Sequence, residues 1–500
     1  MVTTPTRGGG RKPSARAARP TDSGRPDAGR PGTSNAPTGG ASGGATGSAS
    51  AGQRGTRGGA SSGRRSVTVA RAKAGASLGK AATATPENDT EAHQDRGVRA
   101  RLRRGWRFLE GSDRAPSGSS YYLILGSALA LTAIGLLMVL SASSVEAISD
   151  GKDSFDLFLK QAVWASAGLV LMLVLSRLGP RAYKALAWPS LAIAVVLLVL
   201  VLVIGVEING NKNWIQIGSQ TFQPSEPTKL ALALWFAAVL ERKKALIRDW
   251  KHAMIPAIPF GGLPIGLVLI GGDLGTGLVL MMIAGAALFF AGAPLKLFTL
   301  AGLAALAGSL LMVATSSNRG GRISAWLRLN CDDGADLCLQ SDNGLFAMAS
   351  GGWFGVGIGQ SRQKWNWIPE AHNDFIFAII GEEFGLLGTL VVILLFGILA
   401  VATIRVALRY TDPFVRILMA SILVWLIGQA FVNIGMVTGL LPVIGVPLPF
   451  ISYGGSALTF TLAAVGVLLS FARKTPHPPN PVPAGSSPAA STAGRSHAPS

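Results

Sequence analysis

Charge is scarce in this chain. Asp, Glu, Lys and Arg make up 14% of its 500 residues, against about 25% in soluble domains, so a water-facing globular surface is excluded for most of its length. Only two cysteines occur, which excludes a disulfide-built scaffold. No loop carries the phosphate-cradling P-loop or the Rossmann glycine pattern, so nothing points to a nucleotide-driven engine. No apolar run follows the first residues, and no signal peptide is expected.

The charge that is present is unevenly placed. Residues 1–116 hold 21 of the 45 Lys and Arg but 8 of the 26 Asp and Glu, so +13 of the formal +19 lies there. This segment is Gly, Ala, Ser, Thr, Pro and Arg without an apolar period, which predicts a disordered basic tail. Nucleic-acid recognition modules are absent, so no nucleic acid is expected as partner. A solvated arm beside an anionic cytoplasmic leaflet fits instead. The basic run around Trp106 reads as a juxtamembrane anchor. Residues 475–500, rich in Pro, Ser and Ala, predict a second disordered tail.

Between the tails, long apolar runs dominate. A membrane span needs about 20 apolar residues. Runs at 121–142, 157–178, 184–206, 227–241, 253–271, 274–292, 295–314, 374–403, 414–437 and 451–472 predict an all-α polytopic membrane protein with ten transmembrane helices in residues 117–474. Lys and Arg gather before the first run and at 177–184, 241–251, 296, 405–409 and 473–474. The positive-inside rule then makes both termini cytoplasmic. The outer side receives 143–156, 207–226, 271–273, the large loop 315–373, and 438–450.

Cys331 and Cys338 fall in that large loop. An oxidising exterior permits them to pair, with two free thiols as the alternative. Zinc ligation lacks a second pair of ligands nearby.

The outer segments carry unusual polar groups. In 209–229, Asn209, Gly210 and Asn211 read as a turn. Lys212 and Trp214 follow, and QPSEPTK brings Gln223, Glu226 and Lys229 to the head of a helix opened by Pro227. Capping plus a snorkelling lysine is one reading; Lys212 and Lys229 contacting an anionic ligand is the other. Asp273, in a short turn between apolar runs, reads as an N-cap or as a site wall. In 351–375, glycines permit close backbone approach and lead to WIPEAHNDF. If 370–374 is helical, Glu370 and Asp374 share a face at i, i+4 and His372 points away.

Two carboxylates at a membrane surface can serve acid–base glycosyl chemistry, and hydrated helix caps are the bland alternative. Desolvation would raise such a carboxylate's pKa; a neighbour such as Lys364 would counter that. His372 with Asp374 at i, i+2 is a weak metal pattern. Glu382 and Glu383 sit within the next apolar run, where acids face other helices or a polar cavity. The Pro-rich loop 438–450 needs protein or water around its backbone. Ser452, Tyr453, Gly454 and Gly455 either line such a cavity or pack a helix start.

These pieces, NGNKNWI, QPSEPTKLALALW, DLGTGLV, GIGQSRQKWNWIPEAHNDFIFAIIGEEFGLLG and GVPLPFISYGGSAL, stand in order over residues 120–474. They resemble the SEDS family (shape, elongation, division and sporulation), with the division branch, FtsW, preferred over the elongation branch, RodA. The resemblance implies the SEDS fold and a peptidoglycan glycosyltransferase that polymerises lipid II, the undecaprenyl-pyrophosphate disaccharide-peptide, into β-1,4 glycan at the outer membrane face. It implies the essential catalytic role for Asp374, flanking motif positions for Glu370 and His372, and earlier motif positions for Lys212, Gln223, Glu226 and Lys229. It also implies a class B penicillin-binding transpeptidase and other divisome proteins as partners. Lys212, Lys229 or a divalent cation (Mg or Mn) would neutralise the leaving pyrophosphate; no cofactor is implied with certainty. The sequence departs from the family pattern at Trp367, Asn373, and Gly271–Gly272, where the family has Gln-Pro. A lipid II flippase and a non-enzymatic scaffold are the rival readings.

Overall fold

The computed structural model describes residues 118–473, apart from 150–154, 209–210, 219, 248, 316, 330, 332–335, 366–367 and 369–370. Both expected tails, and Glu370, lie outside the described residues. In chain order the helices are α1 Gly118–Ser149, α2 Asp156–Arg177, α3 Pro180–Ile204, α4 Ser225–Arg242, α5 Trp250–Pro256, which runs through a π-turn at Ala257–Gly261 into α6 Gly262–Ile270, α7 Leu274–Ala291 and α8 Leu295–Thr315. Then follow α9 Ser317–Trp326, α10 Asp336–Ser350, α11 Ile376–Arg409, α12 Pro413–Val437 and α13 Ser456–Arg473.

Among the described residues eight helical stretches are long and apolar enough to cross a membrane. The ten expected runs differ from this at two places. α4 carries Glu226, Lys229, Glu241 and Arg242 and is buried along nearly its whole length by its neighbours, so other helices rather than lipid solvate it. α8 offers a shorter apolar stretch, Leu295–Gly308.

The structure also adds a small sheet that helical periodicity did not foretell. β1 (Val206–Ile208) pairs antiparallel with β2 (Asn211–Ile217), with Val206 opposite Trp214. β2 pairs with β3 (Gln220–Phe222), with Ile215 opposite Phe222. β-branched and aromatic residues in these short runs suit a pleated surface.

Polar contacts join loops at each end of the bundle. At one end Lys184 Nζ lies 2.6 Å from Glu241 and 3.4 Å from Asp412, joining the start of α3, the end of α4 and the start of α12. At the other end Trp164 of α2 donates to Gln220 (2.8 Å) and Gln223 donates to Asp273 (3.0 Å). Inside the bundle α13 packs mainly on α2, and α12 on α7 and α4.

α11 is broken at Gly385 (φ 68°, ψ −164°), nine residues and about 14 Å from its start. Backbone at such depth must find partners within the protein. The glycine-rich stretch before the helix supplies them. Val356 and Gly357 N–H donate to Glu382 and Glu383 O at 2.9 and 3.1 Å, and Leu386 N–H donates to Gly352 O at 2.9 Å. A Cβ on Gly355 would overlap Glu383 O, so a side chain there would part the loop from the helix.

The structure joins Cys331 to Cys338, with Cα atoms 5.8 Å apart. Thiol alkylation of the purified protein is therefore expected to label neither cysteine until reductant is added. Labelling of both without reductant would contradict the bond.

Candidate active site

Asp374 lies in a turn, residues 371–375, and α11 begins two residues later at Ile376. Asp374 therefore precedes that helix, and the shared face with Glu370, conditional on a helix over 370–374, falls outside the described residues. Instead the backbone of Asp374 is clamped. Asn433 Nδ2 of α12 donates to Asp374 O at 2.8 Å and to Val446 O at 2.7 Å, tying the acid to the Pro-rich loop. Between them sits Gly445 (φ +76°), where an added Cβ would lie 3.4 Å from Asp374 Oδ2. His372 is buried. Its carbonyl accepts from Tyr453 N–H at 3.0 Å, and the two rings lie 5.5 Å apart. Burial, and secondarily the Asp156 carboxylate, push the Tyr453 phenol above its ordinary pKa, so it stays protonated beside His372.

The same loop meets the start of α7. Val446 Cγ2 and Gly445 O lie 2.8 and 3.1 Å from where a Cβ on Gly275 would stand. Asp273 caps that helix, accepting from Thr276 N–H (2.8 Å) and Thr276 Oγ1 (2.7 Å), and it also accepts from Gln223 (3.0 Å). Asp273 is thus both cap and link. The departure at Gly271–Gly272 has a local cause. With its amide oriented to satisfy both ends, Asn213 donates to Gly271 O (3.0 Å) and Lys212 O (3.1 Å), and Asn211 Oδ1 lies 2.7 Å from where a Gly272 Cβ would be. β2 therefore lies where side chains at 271 and 272 would point.

Below the loop, Lys229 is 1% exposed; it does not snorkel. Its Nζ lies 2.8 Å from Glu226 Oε1 and 3.3 Å from Gln429 Oε1. Gln429 also accepts from Trp425 (3.0 Å) and donates to Pro447 O (2.8 Å). The pair thus props the loop from beneath.

The remaining candidates divide. Ser452 Oγ accepts from Leu448 N–H (2.7 Å), and Gly454 and Gly455 N–H donate to Gln161 Oε1 (3.4 and 3.1 Å). The first bond closes the loop on itself; the two glycines, with Ser452 O accepting from Gln161 Nε2 (3.3 Å), fasten it to α2. Lys212 is half-buried at the rim and donates to Val203 O at 3.1 Å. Lys364 is paired with Glu383 at 3.3 Å rather than set beside Asp374. Among the described residues no group of three or more His, Cys, Asp or Glu could hold a metal ion.

Sequence reasoning missed Gln161, Gln429, Asn433 and Gly445. The polar i, i+4 pair Gln429 and Asn433 inside the apolar α12 was the available signal, since buried amides in a membrane need partners.

Gly445→Val is expected to lower catalysis about tenfold, by crowding Asp374 and forcing a left-handed φ on a branched residue. A turnover assay checks it, and an unchanged rate would remove Gly445 from the site.

A family model described as "Cell cycle protein", covering FtsW, RodA and SpoVE, matches residues 121–477. A Mycobacterium tuberculosis protein named "Probable peptidoglycan glycosyltransferase FtsW" is 41% identical over 361 residues, 72% of this chain and 68% of that one. Stage V sporulation protein E of Bacillus subtilis is 38% identical over 69% of this chain and 94% of its own. Among solved structures, Thermus thermophilus rod shape determining protein RodA matches with TM-score 0.53 and 30% identity, over 71% of this chain and 97% of that one. A chain from work described as "Structural coordination of polymerization and crosslinking by a peptidoglycan synthase complex" matches with TM-score 0.57 and 29% identity, over 70% of this chain and 96% of that one. With the eight apolar spans and the ordered motifs, these matches establish a multi-pass membrane protein that belongs to the FtsW/RodA/SpoVE family of cell cycle proteins, the SEDS family.

Proposed function

We propose that this chain is a peptidoglycan glycosyltransferase of the division type, polymerising lipid II into β-1,4 glycan at the outer face of the cytoplasmic membrane at the septum. The observation that carries this is the clamped Asp374, its carboxylate facing Gly445 where the Pro-rich loop meets the start of α7. Asn433 holds the main chain of Asp374 through its carbonyl, so the clamp does not depend on the carboxylate and fixes where a base would stand.

In the reaction Asp374 accepts the proton of the acceptor sugar's 4-hydroxyl. That oxygen attacks the anomeric carbon of the donor muramyl unit, the bond to the lipid pyrophosphate breaks, and the configuration inverts. Positioning a base in this way contributes about 10²–10⁴-fold. Lys212 would meet the departing pyrophosphate, a reading supported by the burial and pairing of Lys229 and Lys364. A divalent cation (Mg or Mn) drawn from solution would serve the same neutralisation. The polyprenyl tail lies between helices while the sugars reach the loops.

The membrane domain, 117–474, carries this chemistry, with both tails on the cytoplasmic side. A class B penicillin-binding transpeptidase is the partner, within a larger set of division proteins.

The test is incubation of the purified chain with lipid II, with and without that transpeptidase. Glycan chains on a gel are expected from the pair. Transbilayer movement of lipid II in vesicles without any polymer would favour the flippase reading instead.

A further inference from the structure

The buried acids of α11 take no part in the reaction above, and neither does the lysine they hold. Lys364 Nζ lies 2.8 Å from Gly359 O, 3.2 Å from Ser141 Oγ, 3.3 Å from Ser141 O and 3.3 Å from Glu383 Oε1. Its side chain is 3% exposed and that of Glu383 0%. An ammonium has three donors, and these four acceptors occupy them. Ser141 Oγ, from α1, donates to the same Glu383 oxygen at 2.7 Å. One residue earlier, Glu382 accepts from Ser361 Oγ (2.5 Å), Arg362 N–H (2.9 Å) and Gln363 N–H (3.4 Å). Two adjacent carboxylates, at the break in α11, therefore grip four consecutive residues of the incoming strand.

That strand ends at the catalytic turn. Beyond the grip, Ile368 N–H donates to Gln363 O (3.2 Å), and Ile368, Ala371 and Phe375 are buried. Asp374 lies ten positions beyond Lys364; Lys364 is held by Glu383 of α11, and the turn at His372–Asp374 by Asn433 and Tyr453. Nearby in sequence, Trp353 and Phe354 are 67% and 81% exposed, an apolar surface suited to lipid.

We propose that Lys364, Glu383 and Ser141 form a dry latch that holds Ser361–Lys364 against α11 and through this anchorage helps to position Asp374. Lys364 is then a positioning residue and not a contact for the substrate's phosphates. The proposal rests on the polymerase reading only for its catalytic readout. A buried ion pair costs desolvation and is weak as a source of stability, yet removing one partner strands the other charge. This gives the latch a signature that a substrate contact lacks: deleting the second partner relieves the loss of the first.

The experiment compares wild type, Lys364→Met and Lys364→Met/Glu383→Gln in complex with the transpeptidase. Lys364→Met is expected to lower kcat about 30-fold with KM for lipid II held within about twofold, and the double variant to recover most of the rate. Hydrogen exchange is expected to quicken across 361–375 in the single variant and to return towards wild type in the double. A rise in KM that the double variant leaves uncorrected makes Lys364 a substrate contact and overturns the proposal, as does unchanged exchange. If Lys364→Met does not fold, Ser141→Ala removes one bond of the latch and is read the same way, with a smaller shift. If wild type makes no polymer, the polymerase reading fails, and the exchange measurement still decides the latch.

Discussion

Asp374→Asn is expected to lower glycan polymerisation about 10²–10⁴-fold while leaving the protein folded. The local geometry separates the two effects. The main chain at Asp374 is held through its carbonyl by Asn433, which the substitution does not touch. The side chain is half-buried at the loop junction, and asparagine has nearly the same shape. The loss should therefore appear in the chemical step, with the thermal midpoint close to that of the wild type and lipid II still bound. The paired readouts are polymer yield over time and a thermal unfolding curve in detergent.

Lys229→Met is expected to act the other way, through the fold first. It leaves the Glu226 carboxylate, with side chains of both partners 2% exposed, buried without its counter-charge. Breaking such a pair costs about 3–5 kcal/mol. It also takes from Gln429 one of the contacts that hold it beneath Pro447, so the Pro-rich loop loses its prop and catalysis falls with stability. Adding Glu226→Gln should restore much of the stability, because the stranded charge is gone. Thermal unfolding of both variants checks this. A Lys229→Met protein as stable as wild type would show that the pair carries none of the fold.

Hydropathy made the membrane domain legible, because apolar runs of span length have few other uses. The basic residues predicted which loops share a side, and Lys184 lies with Glu241 and Asp412 at one end of the bundle. Asp273 also matched its local chemistry, since an N-cap is read from neighbours in sequence. What escaped was set by contacts between distant segments. No local pattern tells that Lys364 turns to Glu383 and Ser141 rather than to Asp374, or that β2 fills the space beside Gly271 and Gly272. Lys229 read as a snorkelling lysine or as an anion contact, because helix position alone does not reveal that α12 brings Gln429 over it. The run expected from residue 374 starts as a helix at Ile376, and Asp374 stands in the turn before it, its carbonyl held by Asn433.

The central claim is that one carboxylate, fixed at the junction of the Pro-rich loop and α7, is the base for lipid II polymerisation. The most direct test is the polymerisation rate at saturating lipid II of wild type and Asp374→Asn, each in complex with the transpeptidase and matched for folded protein. The account predicts glycan from the wild type and a rate at least about 100-fold lower from the variant. Equal rates from the two proteins would contradict it.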